Sequence, residues 1–245
     1  MPTKNKLNRN KPTSRKVKAE TNGETMGGEG LVFDYHTIRL IIGLIAMLFP
    51  LVVRIRAAQI TDSISWSYYT DARDFFVGFL FVLGAFLICY KGRNLSENLV
   101  GCAGGIAACV TALSPTSFCI GANCPSDWKS NVHYMGAIVL FSTTVYFCLV
   151  AFLGQVNMKI KEDEATGVVG FTSKRRRKVV YLCCGWGIAI VMLGSFIMNV
   201  FGFNTIKNIT YWVETVALEL FGIAWAVASQ YLPFITDEVE RQRLF

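Results

Sequence analysis

The residues able to do chemistry are concentrated in one run, Ile60 to Gly78, which reads Ile-Thr-Asp-Ser-Ile-Ser-Trp-Ser-Tyr-Tyr-Thr-Asp-Ala-Arg-Asp-Phe-Phe-Val-Gly. It sets Asp62, Ser63, Ser65, Tyr68, Tyr69, Thr70, Asp71, Arg73 and Asp74 beside the apolar stretch that follows. Asp71 and Asp74 are three residues apart, so a helix beginning near Thr70 carries both on one face, their negative charge at its N-terminus. Thr70 would cap that helix. Capping explains much of the motif without any function, but not the whole polar run. Further ionisable groups belong at the same level: His133 opens the fourth apolar block and Glu214 lies one turn into the sixth, with Glu219 about 7 Å deeper. The expectation is an outward-opening polar pocket formed by Asp71, Arg73, Asp74, His133 and Glu214. The same residues would also make a purely structural cluster of ion pairs and hydrogen bonds pinning the second, fourth and sixth helices.

Composition bounds what such a cluster could do. A zinc site of histidine and carboxylates normally takes three protein ligands, and only one of the two histidines is at this level; His36 belongs at the opposite end. No metal and no cofactor is expected. Ser65 or Ser114 with His133 and Asp74 would make a hydrolytic trio, but no nucleophile elbow accompanies it and such trios arise easily by chance. There is no phosphate loop, dinucleotide fingerprint or His-Glu-x-x-His, and no lysine in an apolar block to carry a retinal Schiff base. The leading reading is binding of a lipid headgroup or small polar ligand without catalysis. An intramembrane lipid hydrolase using His133 and Asp74 is the alternative, and an ion or solute path through Asp74, Glu214 and Glu219 is a third.

The elements that must position these residues are long and apolar. Of 245 residues, 53% are hydrophobic and 17% charged, with a mean hydropathy of +0.41, whereas soluble domains carry about 25% charged residues. The apolar blocks are Ile38 to Val53, Phe75 to Tyr90, Leu99 to Leu113, Val132 to Val156, Val179 to Phe203 and Tyr211 to Phe234. Several approach the roughly 20 residues that cross a bilayer core. The first three are short, extended by snorkelling Arg39, Arg54 and Lys91 or by Ser96 and Thr116. In hydrocarbon each must be helical to satisfy its own backbone, and the absence of period-two alternation excludes a barrel. Carboxylates inside such spans cost about 2.5–3.5 kcal/mol, so they face a partner or a watery cavity. Arg73 and His133 are the available partners.

The 24 Lys and Arg residues sort the two sides: 19 fall with the N-terminal tail, Arg39, the Lys91/Arg93 turn, the Lys159 to Lys178 segment and the C-terminus. Arg54, Arg56, Arg73, Lys129 and Lys207 fall on the other side. The positive-inside rule makes the richer side cytoplasmic, so an even helix count puts both termini there. The expectation is an all-α integral membrane protein: a basic disordered cytoplasmic tail over residues 1–34, a six-helix membrane domain over 35–234, and a short cytoplasmic tail over 235–245. Residues 1–34 contain no apolar run and read as no cleavable signal peptide. Their lysines and arginines could bind anionic headgroups, although a solvated tail that only fixes orientation is the simpler reading. The net charge of +7 is thus read as topology, with no nucleic-acid partner.

Cys119 and Cys124 fall between the third and fourth blocks, on the expected outer face, where an oxidising compartment permits a short-loop disulfide; two free thiols are the alternative. Asn208-Ile209-Thr210 forms a glycosylation acceptor on that face, but so close to the membrane edge that use is not expected. The other cysteines, Cys89, Cys102, Cys109, Cys148, Cys183 and Cys184, read as small packing residues. Gly101, Gly104, Gly105, Ala108 and Ala112 let the third helix approach its neighbours closely and place it in the middle of the bundle. A dimer face through Gly101 and Gly105 is the other use of that spacing.

The run Ser63-Ile-Ser-x-x-Tyr-Tyr-x-Thr-x-x-Arg73-Asp74-x-Phe-Val-Gly78, the pair His133-Tyr134, the basic turn before the fifth block and Glu214 with Phe221-Gly222-x-x-Trp225 resemble an uncharacterised family of bacterial-type six-helix membrane proteins. That family is distantly similar to the DRAM and GPI-anchor-remodelling group. The resemblance spans roughly Ile38 to Leu232 and implies a lipid-linked or membrane-homeostasis role by fold-level analogy, with no settled activity to transfer. The alkaline ceramidase and progestin-receptor superfamily uses several histidines on seven helices, and this sequence has neither.

Overall fold

The structure, a computed structural model, describes residues 35–58, 61–117, 127–167, 172–201, 207–232 and 236. The expected tails over 1–34 and 235–245, apart from Thr236, and the Cys119/Cys124 pair lie outside the described residues.

Every regular element among the described residues is helical: α1 (Tyr35–Ala57), a 3-10 turn (Ser65–Tyr69), α2 (Arg73–Cys89), α3 (Leu95–Leu113), α4 (Trp128–Thr166), α5 (Thr172–Val200) and α6 (Ile209–Ala228). Five of these, α1 and α3 to α6, are long and apolar enough to cross a membrane. The chain is a multi-pass helical membrane protein by that measure. Apolar throughout after its first turn, α2 has 17 residues, about 25 Å at 1.5 Å per residue.

Local chemistry sets the ends. Asn94 caps α3 by accepting from the Glu97 amide at 2.8 Å, and Glu97 Oε2 accepts from the Arg93 amide at 2.9 Å, a reciprocal arrangement close to a capping box. At the other extreme, α4 stops at Gly167, whose φ of 70° is the left-handed conformation glycine adopts without a Cβ penalty. Lys174 then reaches back to Asp163 and clasps the start of α5 to the end of α4.

Packing follows a closed order. α2 packs on α1 and α3, α4 packs on α3 and α5, and α6 packs on α5 and returns to α1. The glycines of α3 serve this packing within the chain. A Cβ on Gly105 would lie 2.5 Å from Gly84 O of α2, and one on Gly101 3.0 Å from Leu87 O. The same intimacy joins α1 to α6, where a Cβ on Gly43 would lie 2.7 Å from Gly222 O. With α3 set between α2 and α4, the most enclosed span is instead α6, 56% of whose apolar window is buried. Cys148 and Cys184 fill the interior as expected, whereas Cys89 and Cys183 are exposed on the helix surface.

Within α4, residues Phe147–Phe152 form a π-helical segment. Its wider turn brings Phe147 and Phe152 onto one face, and both rings close on Trp225 of α6, at 5.3 Å and 5.2 Å between centroids. Trp225 is fully buried and anchors this aromatic core.

Candidate functional site

The polar run before α2 is lacing. Ile64 N donates to Glu214 Oε2 at 2.6 Å, Tyr211 N donates to Asp62 O at 3.1 Å, and the Tyr69 hydroxyl donates to Thr116 O at 2.5 Å. The run between α1 and α2 is therefore tied to the start of α6 and to the chain after α3. Thr70 Oγ1 accepts from the Ala72 amide at 3.2 Å, but α2 begins only at Arg73, so Thr70 caps the turn before the helix rather than the helix itself.

Of the five residues expected to form the outer pocket, His133 is buried and Glu214 half-buried, while Asp71, Arg73 and Asp74 are exposed. None of the five hydrogen-bonds to another. Arg73 turns to Tyr68, donating to its hydroxyl at 2.9 Å with the guanidinium 4.4 Å from the ring centroid, and so leaves both aspartates. His133 Nδ1 bonds to Thr111 O at 3.0 Å and Ser114 O at 2.6 Å. Both partners are carbonyls, so Nδ1 carries the hydrogen and the ring closes the C-terminus of α3. Ser114 meets the imidazole through its main chain, which leaves its hydroxyl unactivated by this contact. Glu219 is half-buried, and no cluster of three or more His, Cys, Asp or Glu able to hold a metal occurs among the described residues.

The most elaborate polar cluster lies at the opposite end, around a residue read from sequence as a snorkelling side chain and a topology marker. Arg39, one turn into α1, is 4% exposed. Its Nη1 donates to Ala228 O at 3.0 Å, and Nη2 reaches the Tyr35 hydroxyl at 2.8 Å, the Tyr90 hydroxyl at 3.1 Å and Gln155 Oε1 at 3.3 Å. The guanidinium also lies over Tyr35, 4.2 Å from its centroid, and near Phe152 at 5.5 Å. The partners come from four elements: Tyr35 from the first turn of α1, Tyr90 from the C-cap of α2, Gln155 from α4 just after the π segment, and Ala228 from the last turn of α6. A guanidinium suits the last carbonyls of a helix, whose dipole favours a cation there. His36 joins it by bonding to Ser229 O through Nδ1 at 2.9 Å.

All of Arg39's acceptors are neutral, so among the described residues no carboxylate offsets its charge. Three buried donors in the same cluster, Arg39 Nε, Gln155 Nε2 and Trp225 Nε1, have no hydrogen-bond partner. Buried polar atoms are nearly always satisfied, so such a concentration is informative.

Beside this cluster runs a groove of about 620 Å³ between α1 and α2, lined by Tyr35, Ile38, Val82, Ala85, Phe86, Cys89, Tyr90 and Lys91. The lining is apolar except at the end where the two tyrosines and Lys91 sit. Tyr35 and Tyr90 stack at 5.6 Å, and the Tyr35 hydroxyl donates to Lys91 O at 3.0 Å. A second, shallower groove of about 560 Å³ between α3 and α4 is apolar apart from Asn131. Set against family models, curated proteins and solved structures, the chain matches none.

Proposed function

We propose that this chain is a six-span membrane protein, with both termini cytoplasmic, that binds a membrane amphiphile in the groove between α1 and α2 and performs no chemistry on it. The carrying observation is the groove itself: an apolar trough with Tyr35, Tyr90 and Lys91 at one end only, the polarity pattern of a lipid. Its volume is within the 300–1,000 Å³ usual for small-molecule sites.

The sixth span on this reading is α2. Its 17 residues, apolar after Arg73 and Asp74, are at the short end of what crosses a bilayer, and Lys91 and Arg73 at its two ends can reach the interfaces. The polar end of the groove then falls at the cytoplasmic boundary. The resemblance to an uncharacterised family, itself distantly similar to the DRAM and GPI-anchor-remodelling group, agrees with a lipid ligand by fold-level analogy. The geometry at the other end does not favour hydrolysis, because His133 is buried and its Nδ1 is held by two main-chain carbonyls, with no hydrogen bond to Asp74.

Two exposed cysteines make the test direct. Cys89 lines the groove, whereas Cys183, on α5, does not. Added lipid is expected to slow modification of Cys89 by an apolar maleimide while Cys183 reacts as before. Equal reactivity of Cys89 with and without lipid would overturn the reading. For the topology, an impermeant amine reagent should reach Lys91 and Lys178 from one side and Lys129 from the other.

A further inference from the structure

We propose that the amphiphile is an anionic lipid, its acyl chain along the groove and its phosphate at Lys91; this rests on the groove being a lipid site. The argument begins with the charges at the polar end. In the turn after α2, Arg93 is neutralised by Glu97 at 2.9 Å. Lys91, two residues earlier and exposed, has no ion-pair partner among the described residues and is the basic residue of the lining. Behind the tyrosines lies a second cation, Arg39, buried and surrounded by neutral acceptors. No carboxylate lines the groove.

The polar end is therefore bordered by two cations, Lys91 in the lining and Arg39 behind it, and no carboxylate is in the lining. A zwitterionic headgroup would bring its own cation into this positive field. A phosphate bearing net negative charge supplies what the site lacks. Lys91 makes the contact; Arg39 acts through the field and through the tyrosines whose hydroxyls it holds.

The full-length protein in detergent, examined as an intact complex by mass spectrometry, provides the test, with phosphatidylglycerol and phosphatidylcholine of identical acyl chains as probes. Phosphatidylglycerol should be retained about fivefold more tightly at low salt, the effect of one basic residue at a membrane surface. Added salt should reduce that advantage, and Lys91→Gln should abolish it without altering phosphatidylcholine retention or Tm. Equal retention of the two lipids by the unaltered protein, or a preference that survives Lys91→Gln, overturns the anionic assignment and leaves the groove reading intact. Retention of neither lipid removes the groove reading as well. Ala85→Trp, which fills the groove from its exposed wall, should displace both lipids; undiminished binding in that variant would place them elsewhere and overturn both proposals.

Discussion

Arg39 on α1 and Ala228 at the end of α6 are 189 residues apart in sequence and joined by a 3.0 Å hydrogen bond from guanidinium to carbonyl. His36 makes the same kind of bond to Ser229 O, so two side chains of the first helix close the C-terminus of the last. The order of helix packing returns on itself at this seam. Gly43 and Gly222 let the two backbones meet one and two turns further in, and Tyr211 fastens the other end by donating to Pro50 O at 3.1 Å. The groove between α1 and α2 opens on the neighbouring face of α1, so the seam holds one of its walls in place.

Glu214 is expected to act as a loop anchor. Removing its carboxyl group in Glu214→Ala leaves the buried Ile64 amide without an acceptor, at about 1–3 kcal/mol. Glu214→Gln retains an acceptor oxygen and should lose less. Amide exchange at Ile64 distinguishes the cases: it should accelerate in the alanine variant and stay near the unaltered rate in the glutamine variant. Unchanged protection in both would mean that the 2.6 Å contact does not hold the loop.

How much of this was legible beforehand depends on the kind of signal. The apolar blocks marked the helices well, because hydrophobic runs report what a bilayer-sized core demands. Their ends were misjudged wherever polar residues continue a helix. The third block does extend back through Ser96 as expected, but residues 157–166 belong to α4 and the basic run 174–178 to α5, and hydropathy is blind to helical turns that emerge from the apolar layer. The site was harder still. Glu214 and His133 stood out as polar groups in apolar surroundings, but whether they meet each other or a backbone carbonyl is decided by tertiary contact. Arg39 was read as snorkelling outward; its i, i+4 spacing from Tyr35 was the one local hint that it turns inward to an aromatic partner. Nothing local connects it to Tyr90, Gln155 or Ala228.

The α1–α6 seam predicts a sharp contrast between two glycines. Gly43→Ala sets a methyl group 2.7 Å from Gly222 O and 2.8 Å from Ala226 N. Both are backbone atoms, so the helices must separate, at about 1–3 kcal/mol or more. Gly78→Ala meets nothing within 4 Å and gains helix propensity, so it should be neutral or slightly stabilising. Thermal unfolding of the two variants in the same detergent gives the comparison. Equal Tm values would show that α1 and α6 do not depend on this close approach.

His133 should behave as a cap with a fixed tautomer. Its two carbonyl partners require the hydrogen on Nδ1, so nitrogen NMR of histidine-labelled protein should show Nδ1 protonated in the neutral ring. His133→Phe keeps the ring volume while orphaning Thr111 O and Ser114 O, and should cost about 1–3 kcal/mol of stability. A ring protonated on Nε2 alone would be incompatible with the bonds described and would mean that His133 does not close the end of α3.

Arg39 carries the strongest prediction, because its bonds reach three elements besides its own helix. Lysine preserves the charge, but its ammonium has three donors on a flexible stem, whereas the guanidinium offers five in a planar fork. Arg39→Lys therefore cannot serve Ala228 O, both tyrosine hydroxyls and Gln155 together, and it weakens the stacking over Tyr35. Loss of two or more bonds around a buried cation should lower stability by about 2–4 kcal/mol. Arg39→Ala removes the charge as well as the fork; it frees all four acceptors and leaves a cavity beneath Phe152 and Tyr90, so it should fall further. The expected Tm order is Arg, then Lys, then Ala, with the tyrosine fluorescence of the groove end changing in step. If Lys supported full stability, charge alone would be sufficient at this position, and the forked geometry linking α1 to Tyr90, Gln155 and Ala228 would have no energetic role.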